Sequence, residues 1–267
     1  MANSNMVALK GYFNNEQVMK NLQAMLGKKA QGFVTSVLSV VNNNKLLQSV
    51  EPSSIYSSAM VAASLDLPVN PNLGFAAIVP YGRQAQLQIM TRGFVQLAIR
   101  SGEYAKITNC NVHEGELVKC DPFTDDYVFD SSKRESDKVI GYMAYIKTTS
   151  GFEKYYYMSV DDAKKHGQRY SKSFRTGVWN TDFDAMGRKT CLKMLLSKYG
   201  ILSIEMQRAI KFDQGVMKGD FSEIDNIEDI DAVEVEYVDN PNSKTPNVGV
   251  TTEDVNPQET LFNDNEK

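Results

Sequence analysis

Hydrophobic residues at helical spacing dominate the first 65 positions of the chain. The pattern predicts one helix that Asn14 or Asn15 caps and that ends at Leu26, a second at 30–48, and a third at 53–65. In each, apolar residues recur every three or four positions, as they do on the buried face of a helix. These helices fit the core of the chain itself, although a helical face of this kind can also contact a second subunit.

The pattern changes in the stretch 60–104, which predicts a helix, a rigid loop, a hairpin and a further helix. Two short apolar runs, 74–80 and 85–90, flank a connection that contains Gly82, as in a hairpin. In the second run, apolar residues alternate with glutamines, so one face should be apolar and the other rich in hydrogen-bonding groups. A helix then begins at Thr91 and ends at Gly102.

Strands and helices continue to about residue 212. In order, the pattern predicts a strand at 104–112, a polar, acidic and mobile loop at 121–137, a hairpin of 138–148 with 151–159, and helices at 160–166, 181–199 and 203–212. Helix 181–199 should begin with a capping box formed by Thr181 and Asp184. The predicted fold class is α+β, a small antiparallel sheet of two hairpins flanked by helices, with a disordered acidic tail.

Charge divides the chain into two parts. Residues 220–267 contain 14 Asp and Glu but two Lys, a net charge of −12, whereas residues 1–219 contain 27 Lys and Arg but 19 Asp and Glu, a net charge of +8. The tail also has few large apolar residues, which predicts disorder beyond about residue 218. We therefore predict a domain at 1–219 and a partner-binding tail at 220–267.

The basic charge of the body is concentrated near its end. Between Lys164 and Lys198 there are nine Lys and Arg against Asp182 and Asp184, a local charge of +7. Such a density is typical of a surface that binds phosphates, although any single lysine in it is as easily a solvated surface residue.

The composition also limits where the protein works. No apolar run approaches the length of a membrane span, and three cysteines without metal-type spacing do not predict a disulfide framework. We expect a cytoplasmic protein with reduced thiols.

Three long motifs carry a family resemblance. They read LDLPVNPNLGFAAIVPYG at 65–82, TRGFVQLAIRSG at 91–102 and WNTDFDAMGRKTCLKMLLSKYG at 179–200. Together they resemble the RecT family of phage-type single-strand annealing proteins, over most of residues 1–212. The resemblance implies an ATP-independent protein that binds single-stranded DNA without sequence preference, forms rings or filaments on it, and pairs complementary strands in recombination.

The DNA-binding residues that we predict combine phosphate contacts with stacking or hydrogen-bonding groups. The predicted phosphate contacts are Arg83, Arg92, Arg100, Lys172, Arg175, Arg188, Lys189 and Lys193. The others are Tyr81, Gln86 and Trp179, and a single tryptophan beside a helix start is at least as often a core residue.

No cofactor, metal or catalytic set is predicted. Gly187-Arg188-Lys189-Thr190 lacks the earlier glycine of a phosphate-binding loop, because position 182 is Asp. Annealing needs no such site, since base pairing itself is favourable. Two alternatives remain open: a DNA-processing nuclease with a metal site, and an adaptor protein that acts through its tail.

The tail carries one candidate peptide for a protein partner. Gln258, Leu261 and Phe262 have the spacing of the Q-x-x-L-F peptide that binds the bacterial sliding clamp. The family resemblance adds a phage exonuclease or a single-strand-binding protein as further candidate partners. Solubility is the simpler role for such a tail.

Overall fold

The computed structural model describes residues 2–171, 173–217 and 227–237. The helices are α1 (Ala2–Phe13), α2 (Glu16–Leu26), α3 (Ala30–Asn42), α4 (Pro52–Ser64), α5 (Thr91–Ser101), α6 (Val160–Tyr170), α7 (Val178–Thr181), α8 (Phe183–Tyr199) and α9 (Ile204–Phe212). The strands are β1 (Ala76–Tyr81), β2 (Gln84–Ile89), β3 (Tyr104–His113), β4 (Leu117–Asp121), β5 (Asp126–Phe129), β6 (Val139–Thr148), β7 (Glu153–Ser159), β8 (Gly215–Met217) and β9 (Val235–Tyr237). None of the described helices is both long enough and apolar enough to cross a membrane.

Helix α4 lies at the centre of the amino-terminal part. Pro52 occupies its first turn, where a missing N–H costs nothing, and every residue from Ile55 to Ala63 is buried. A helix buried on all sides belongs in the interior of a domain. Helices α1 and α2 contact it, as do β1, β2 and β8, and Tyr12 stacks on Tyr56 with ring centroids 5.2 Å apart. The first three predicted helices therefore pack into the core of the chain itself.

The first predicted hairpin is confirmed as β1 and β2, with Gly82 and Arg83 in the turn. Gly82 has a φ of 57°, which suits a glycine in a tight turn. The predicted glutamine face is only partly open. Gln86 is 1% exposed, because α4, α9 and β8 all contact β2. Alternation along a strand shows that two faces exist, but it does not show how many of them are covered.

The TRGF motif begins helix α5, where a glycine permits a close approach. A β carbon at Gly93 would lie 2.2 Å from the backbone oxygen of Phe75. The helix ends as predicted at Gly102, which is left-handed with a φ of 72°. In the last turn of α5, the Arg100 guanidinium donates hydrogen bonds to the backbone oxygens of Leu65 and Asp66, at 2.7 and 2.8 Å. Helix α5 is thereby fastened to the end of α4.

The second predicted hairpin, β6 with β7, is also confirmed, and β3 joins it in a three-stranded antiparallel sheet of order β3-β6-β7. Helix α8 packs on this sheet. Tyr142 is fully buried beneath the helix, and its hydroxyl donates a 2.7 Å hydrogen bond to Asp184. The predicted α+β class with small antiparallel sheets and flanking helices is correct.

Several predicted boundaries differ from the structure. Helix α3 ends at Asn42, at the start of the sequence Asn42-Asn43-Asn44 and six residues before the predicted end at 48. Helix α6 runs four residues beyond the predicted end, to Tyr170. Asp182, not Thr181, caps α8, because its carboxylate accepts a 3.1 Å hydrogen bond from the Ala185 N–H. An Asp and a Thr are both good caps, so spacing alone does not choose between them.

The predicted mobile loop at 121–137 is wrong in its first half. Strands β4 and β5 form a separate two-stranded hairpin there, and the backbone at 131–133 forms a single 3-10 turn. The hairpin has polar residues on a solvent-exposed face, which made it resemble a loop in the sequence.

Part of the predicted tail belongs to the folded body. Strand β9 pairs with β8, Ile230 is fully buried, and Arg208 forms two hydrogen bonds with the Asp231 carboxylate, at 2.7 and 2.8 Å. The prediction of disorder beyond about residue 218 therefore does not hold for residues 227–237. The division of the chain at 219 and 220 stays a prediction.

Replacing Gly187 should test the contact between α8 and the sheet. A β carbon at this position would lie 2.2 Å from the Tyr142 ring, so Gly187→Ala forces the helix or the ring to move. We expect a loss of about 1–3 kcal/mol in the free energy of unfolding, measured by urea denaturation.

Gly11→Ala is the matched control. A β carbon at Gly11 meets no atom within 4 Å, and the residue lies inside helix α1. We expect a gain of about 0.5–1 kcal/mol, because alanine restricts the unfolded chain more than glycine does. Equal stability of the wild type and Gly187→Ala would show that α8 does not press on Tyr142.

Candidate nucleic-acid interface

Two lysines of the basic segment face the interior. Lys189 and Lys193, one turn apart on α8, are buried beside the fully buried carboxylate of Asp213. The Lys193 ammonium donates to Asp213, and the Lys189 Nζ lies 3.7 Å from its other oxygen. Asp213 also accepts a 2.8 Å hydrogen bond from the Ile89 backbone N–H. The carboxylate thus joins α8 to strand β2.

The charges of this group depend on one another. Burial lowers the pKa of Lys189, and the nearby Asp213 opposes that effect. Burial alone would raise the pKa of Asp213, but Lys189, Lys193 and the hydrogen bonds from Lys193 and the Ile89 N–H hold it below its usual range. The carboxylate is therefore ionised at neutral pH.

Aromatic side chains enclose a small cavity next to the lysines. Trp179 is 6% exposed and lies among Phe174, Phe183 and His166, with centroid distances of 6.0, 5.3 and 6.5 Å. The cavity has a volume of about 30 Å³ and is lined by His166, Trp179, Lys189 and Lys193, among others. That volume suits a water molecule and is too small for a nucleobase. In this conformation Trp179 is a core residue.

His166 is uncharged in this setting. Burial is the main cause that lowers its pKa, to about 4, and the nearby Lys193 adds to the effect. An imidazole at this position therefore adds no positive charge to the basic segment at neutral pH.

Most of the exposed charge of the segment lies on α6 and the connection that follows it. We call these residues the outer cations: Lys164, Lys165, Arg169 and Arg175, all exposed. Lys198, near the end of α8, is exposed as well. The Arg169 guanidinium lies 5.2 Å from the centroid of the Tyr170 ring, which leaves its charge at the surface. Arg188 is half-buried and donates a 2.7 Å hydrogen bond to Asn111 on β3. The segment is therefore split into a buried pair and an exposed set.

The central motif places its predicted contacts in different settings. Arg83 is exposed in the hairpin turn. It lies six residues before Ile89, whose N–H binds Asp213, so it is about 20 Å from that carboxylate along the strand. Arg92 is exposed, lies 5.2 Å from the Phe75 ring and donates to the Leu73 oxygen at 3.0 Å. Tyr81 is half-buried at the end of β1.

Four of the predicted residues lie outside the described residues. They are Lys172, Gln258, Leu261 and Phe262.

Sequence reasoning missed the residues that organise this region. Asp213 is a single carboxylate after a short helix, a pattern with no special meaning by itself. The spacing of Lys189 and Lys193 did contain a signal, because both lie within one turn of Met186 or Thr190 on the same side of α8. Lysines that share the buried stripe of a helix need a buried counter-charge.

Among the described residues, no three His, Cys, Asp or Glu side chains come together as a metal site requires. The same part of the chain holds free cysteines at 110, 120 and 191.

Comparison with known proteins identifies the family. The family model described as "RecT family" matches residues 31–232, which includes the central motif, the basic segment, Asp213 and the Arg208–Asp231 pair. The chain belongs to the RecT family. RecT-family proteins are DNA-binding proteins that anneal single strands in recombination, and they are annealing proteins rather than catalytic enzymes.

Two relatives show the range of similarity. An uncharacterized protein, YqaK, of Bacillus subtilis (strain 168) is 48% identical over 202 residues, which cover 76% of this chain and 70% of the relative. Protein RecT of Escherichia coli (strain K12) is 25% identical over 240 residues, which cover 82% of this chain and 88% of the relative.

Removing the buried carboxylate should be costly for this RecT-family chain. Asp213→Ala leaves Lys189 and Lys193 without a counter-charge and the Ile89 N–H without an acceptor. We expect a loss of about 3–5 kcal/mol in the free energy of unfolding, measured by chemical denaturation.

Asp137→Ala is the control for this experiment. Asp137 pairs with Arg134 at 2.8 Å, but its side chain is 98% exposed, so the loss should stay below about 1 kcal/mol. A similar small loss for Asp213→Ala would contradict the role of its carboxylate as the buried link.

His166 should make stability depend on pH. Its folded pKa, about 4, lies below its ordinary value, so the unfolded chain binds the proton more readily between pH 6.5 and 4. Its contribution is present above pH 6.5 and is lost as the pH falls towards 4, by up to about 3 kcal/mol. The unfolding free energy of the wild type, measured across this range, should fall relative to that of His166→Gln as the pH falls. Parallel curves would show that the pKa of His166 is the same in the folded and unfolded chains.

Proposed function

We propose that this protein binds single-stranded DNA without sequence preference, oligomerises on it, and pairs complementary strands without ATP. Membership of the RecT family carries the proposal, because the family match spans the central hairpin and the basic segment. Pairing releases about 1.4 kcal/mol per base-pair step, so no nucleotide hydrolysis has to drive it. The protein has to reduce the repulsion between phosphates and keep base edges accessible.

The outer cations are the phosphate contacts that the surface geometry favours. Exposed arginine and lysine side chains bind the DNA backbone without reading the bases, which gives binding without sequence preference. Arg83 and Arg92 are exposed as well and belong to the same proposal. Arg188 is half-buried, and its guanidinium already donates to Asn111, so a phosphate would have to share the guanidinium with Asn111.

Three further predicted contacts have structural partners already. Lys189 and Lys193 are buried against Asp213, and Arg100 holds the end of α4. For the two lysines, a phosphate contact requires the small cavity beside Trp179 to open. We propose that both lysines and Arg100 stabilise the folded structure beneath the DNA-binding surface.

The partners that we propose are single-stranded DNA, the annealed duplex intermediate and further copies of the chain in a ring or filament. A phage exonuclease, a single-strand-binding protein or the sliding clamp is proposed to bind the tail, in the last case through Gln258, Leu261 and Phe262.

The test combines annealing with binding to an oligonucleotide. Two labelled complementary oligonucleotides should pair faster with the full chain than without it, in the absence of ATP. A variant with Lys165, Arg169 and Arg175 all changed to alanine should anneal more slowly. Its plot of log affinity against log salt for a single strand should be shallower by about 2, at about 0.7 per lost contact.

A charge-matched variant controls for the loss of three cations. It changes three exposed lysines far from the segment in sequence: Lys10, Lys20 and Lys133. This variant should keep most of the wild-type slope. Equal slopes for the two variants would contradict the assignment of the outer cations, and no acceleration by folded, DNA-bound wild type would contradict annealing itself.

A further inference from the structure

The hairpin of β4 and β5, residues 117–129, forms an arm with an apolar tip. It pairs with no other strand in the described parts of the chain. Phe123, in its turn, is 96% exposed, and Val118, Val128 and Phe129 on its strands are also exposed. A group of exposed large apolar side chains on one small element marks an interaction surface.

The arm holds its tip in a defined position. The Asp121 carboxylate accepts hydrogen bonds from the N–H groups of Phe123 and Thr124, at 2.9 and 3.2 Å. Near the other side of the turn, Asp125 lies 2.7 Å from the Lys154 ammonium on β7. The Phe123 ring is therefore presented to solvent on a closed turn that is attached to the three-stranded sheet.

The charge of the arm does not suit DNA. Residues 117–129 contain three Asp and one Lys, a net charge of −2. Such a surface repels phosphates, so the apolar tip fits an apolar site with a cationic rim.

A groove of this kind lies on the amino-terminal part of the same chain. It runs between the end of α2, helix α3 and helix α5, and its volume is about 560 Å³. Its apolar walls include Leu26, Phe33, Pro68 and Phe75. The volume falls within the range of about 300–1,000 Å³ that is common for binding sites.

Cations surround this groove. Lys29 and Arg100 line it beside one carboxylate, Asp66, and the Arg92 guanidinium covers the Phe75 ring. Lys28 is exposed next to Lys29. Four cations against one carboxylate complement the three carboxylates and one cation of the arm.

We propose that the arm of one copy docks in the groove of a second copy, with Phe123 against the apolar walls. This inference rests on the proposed oligomerisation and names the surfaces that carry it. Because the two surfaces differ, each copy keeps a free groove at one end and a free arm at the other. Repetition of such a contact produces a ring or an open helical filament.

Two single variants and one control test the contact. Phe123→Asp disables the arm, and its exposure means that folding should not depend on it. Gly32→Tyr fills the groove from α3, at a position where a β carbon meets no atom within 4 Å. Phe152→Asp replaces another exposed aromatic residue, beside the turn between β6 and β7. Thermal melts confirm that each variant folds.

Sedimentation velocity should separate the variants at a concentration where the wild type assembles. Phe123→Asp and Gly32→Tyr should each remain monomeric, whereas Phe152→Asp should assemble as the wild type does. A mixture of the first two should form a heterodimer of about twice the 29.9 kDa chain and no larger species. In that mixture, the Gly32→Tyr chain has the intact arm and the Phe123→Asp chain has the intact groove. Only one contact can therefore form in each complex.

Single-strand binding and annealing, measured on the same samples, keep this inference separate from the proposed function. Normal assembly of Phe123→Asp, a wild type that stays monomeric with and without DNA, or a mixture that forms no heterodimer would overturn the arm-and-groove contact. Reduced binding of a short oligonucleotide by Phe123→Asp with unchanged assembly would overturn it in favour of DNA. Assembly that requires the arm in a protein that binds no single strand would overturn the proposed function alone.

Discussion

The ion pairs and the hydrogen bond of the buried Asp213 carboxylate fix the β1–β2 hairpin relative to the three-stranded sheet. Asp213 lies at the end of α9, pairs with two lysines of α8 and accepts a hydrogen bond from the backbone of β2. Removing one member of such a group leaves an uncompensated charge in a medium that solvates it poorly. Helix α8 therefore cannot slide along β2 without separating charges, and the hairpin and the three-stranded sheet keep one relative position.

Further contacts also hold α8 on the three-stranded sheet. Gly187 lets the helix rest on the Tyr142 ring, and the Tyr142 hydroxyl holds Asp184. Asn109 and Asn111 on β3 exchange hydrogen bonds with the Arg188 backbone oxygen and guanidinium. Together with the ion pairs of Asp213, these contacts engage Arg188, Lys189 and Lys193 and leave Lys198 exposed on α8. Most of the exposed positive charge of the segment therefore lies on α6 and the connection after it.

Local sequence patterns predicted the helices and strands well, but they predicted burial and long-range contacts poorly. Gly82, Gly102 and the Asn15 cap act within a few residues, so the hairpin turn and two helix boundaries followed from the sequence. Burial of Gln86 depends on α4, α9 and β8, which are distant in sequence. The partner of Lys189 and Lys193 is 20 or more residues away, so a local count of charges could not show that both lie inside the fold beside one carboxylate.

The β4–β5 hairpin was missed for a related reason. Its strands carry charged and apolar residues, none of them fully buried, so the alternation that marks a half-buried strand is absent. A strand without a fully buried residue has the composition of a loop. The same property makes it informative in the structure, because exposed Phe123, Val118 and Val128 have no role in the core.

An annealing protein needs no reactive centre, and the distribution of charge in this chain shows how surface chemistry can suffice. Cations that contact phosphates reduce the repulsion between two strands and leave the base edges free to test complementarity. Each such contact is weak and falls with salt, but copies aligned on one strand add their contacts within a single assembly. The alignment then requires a contact surface that is not itself basic, because the basic residues that bind phosphates repel one another. In the proposed contact, the β4–β5 hairpin, with three Asp and with Phe123 at its tip, provides such a surface.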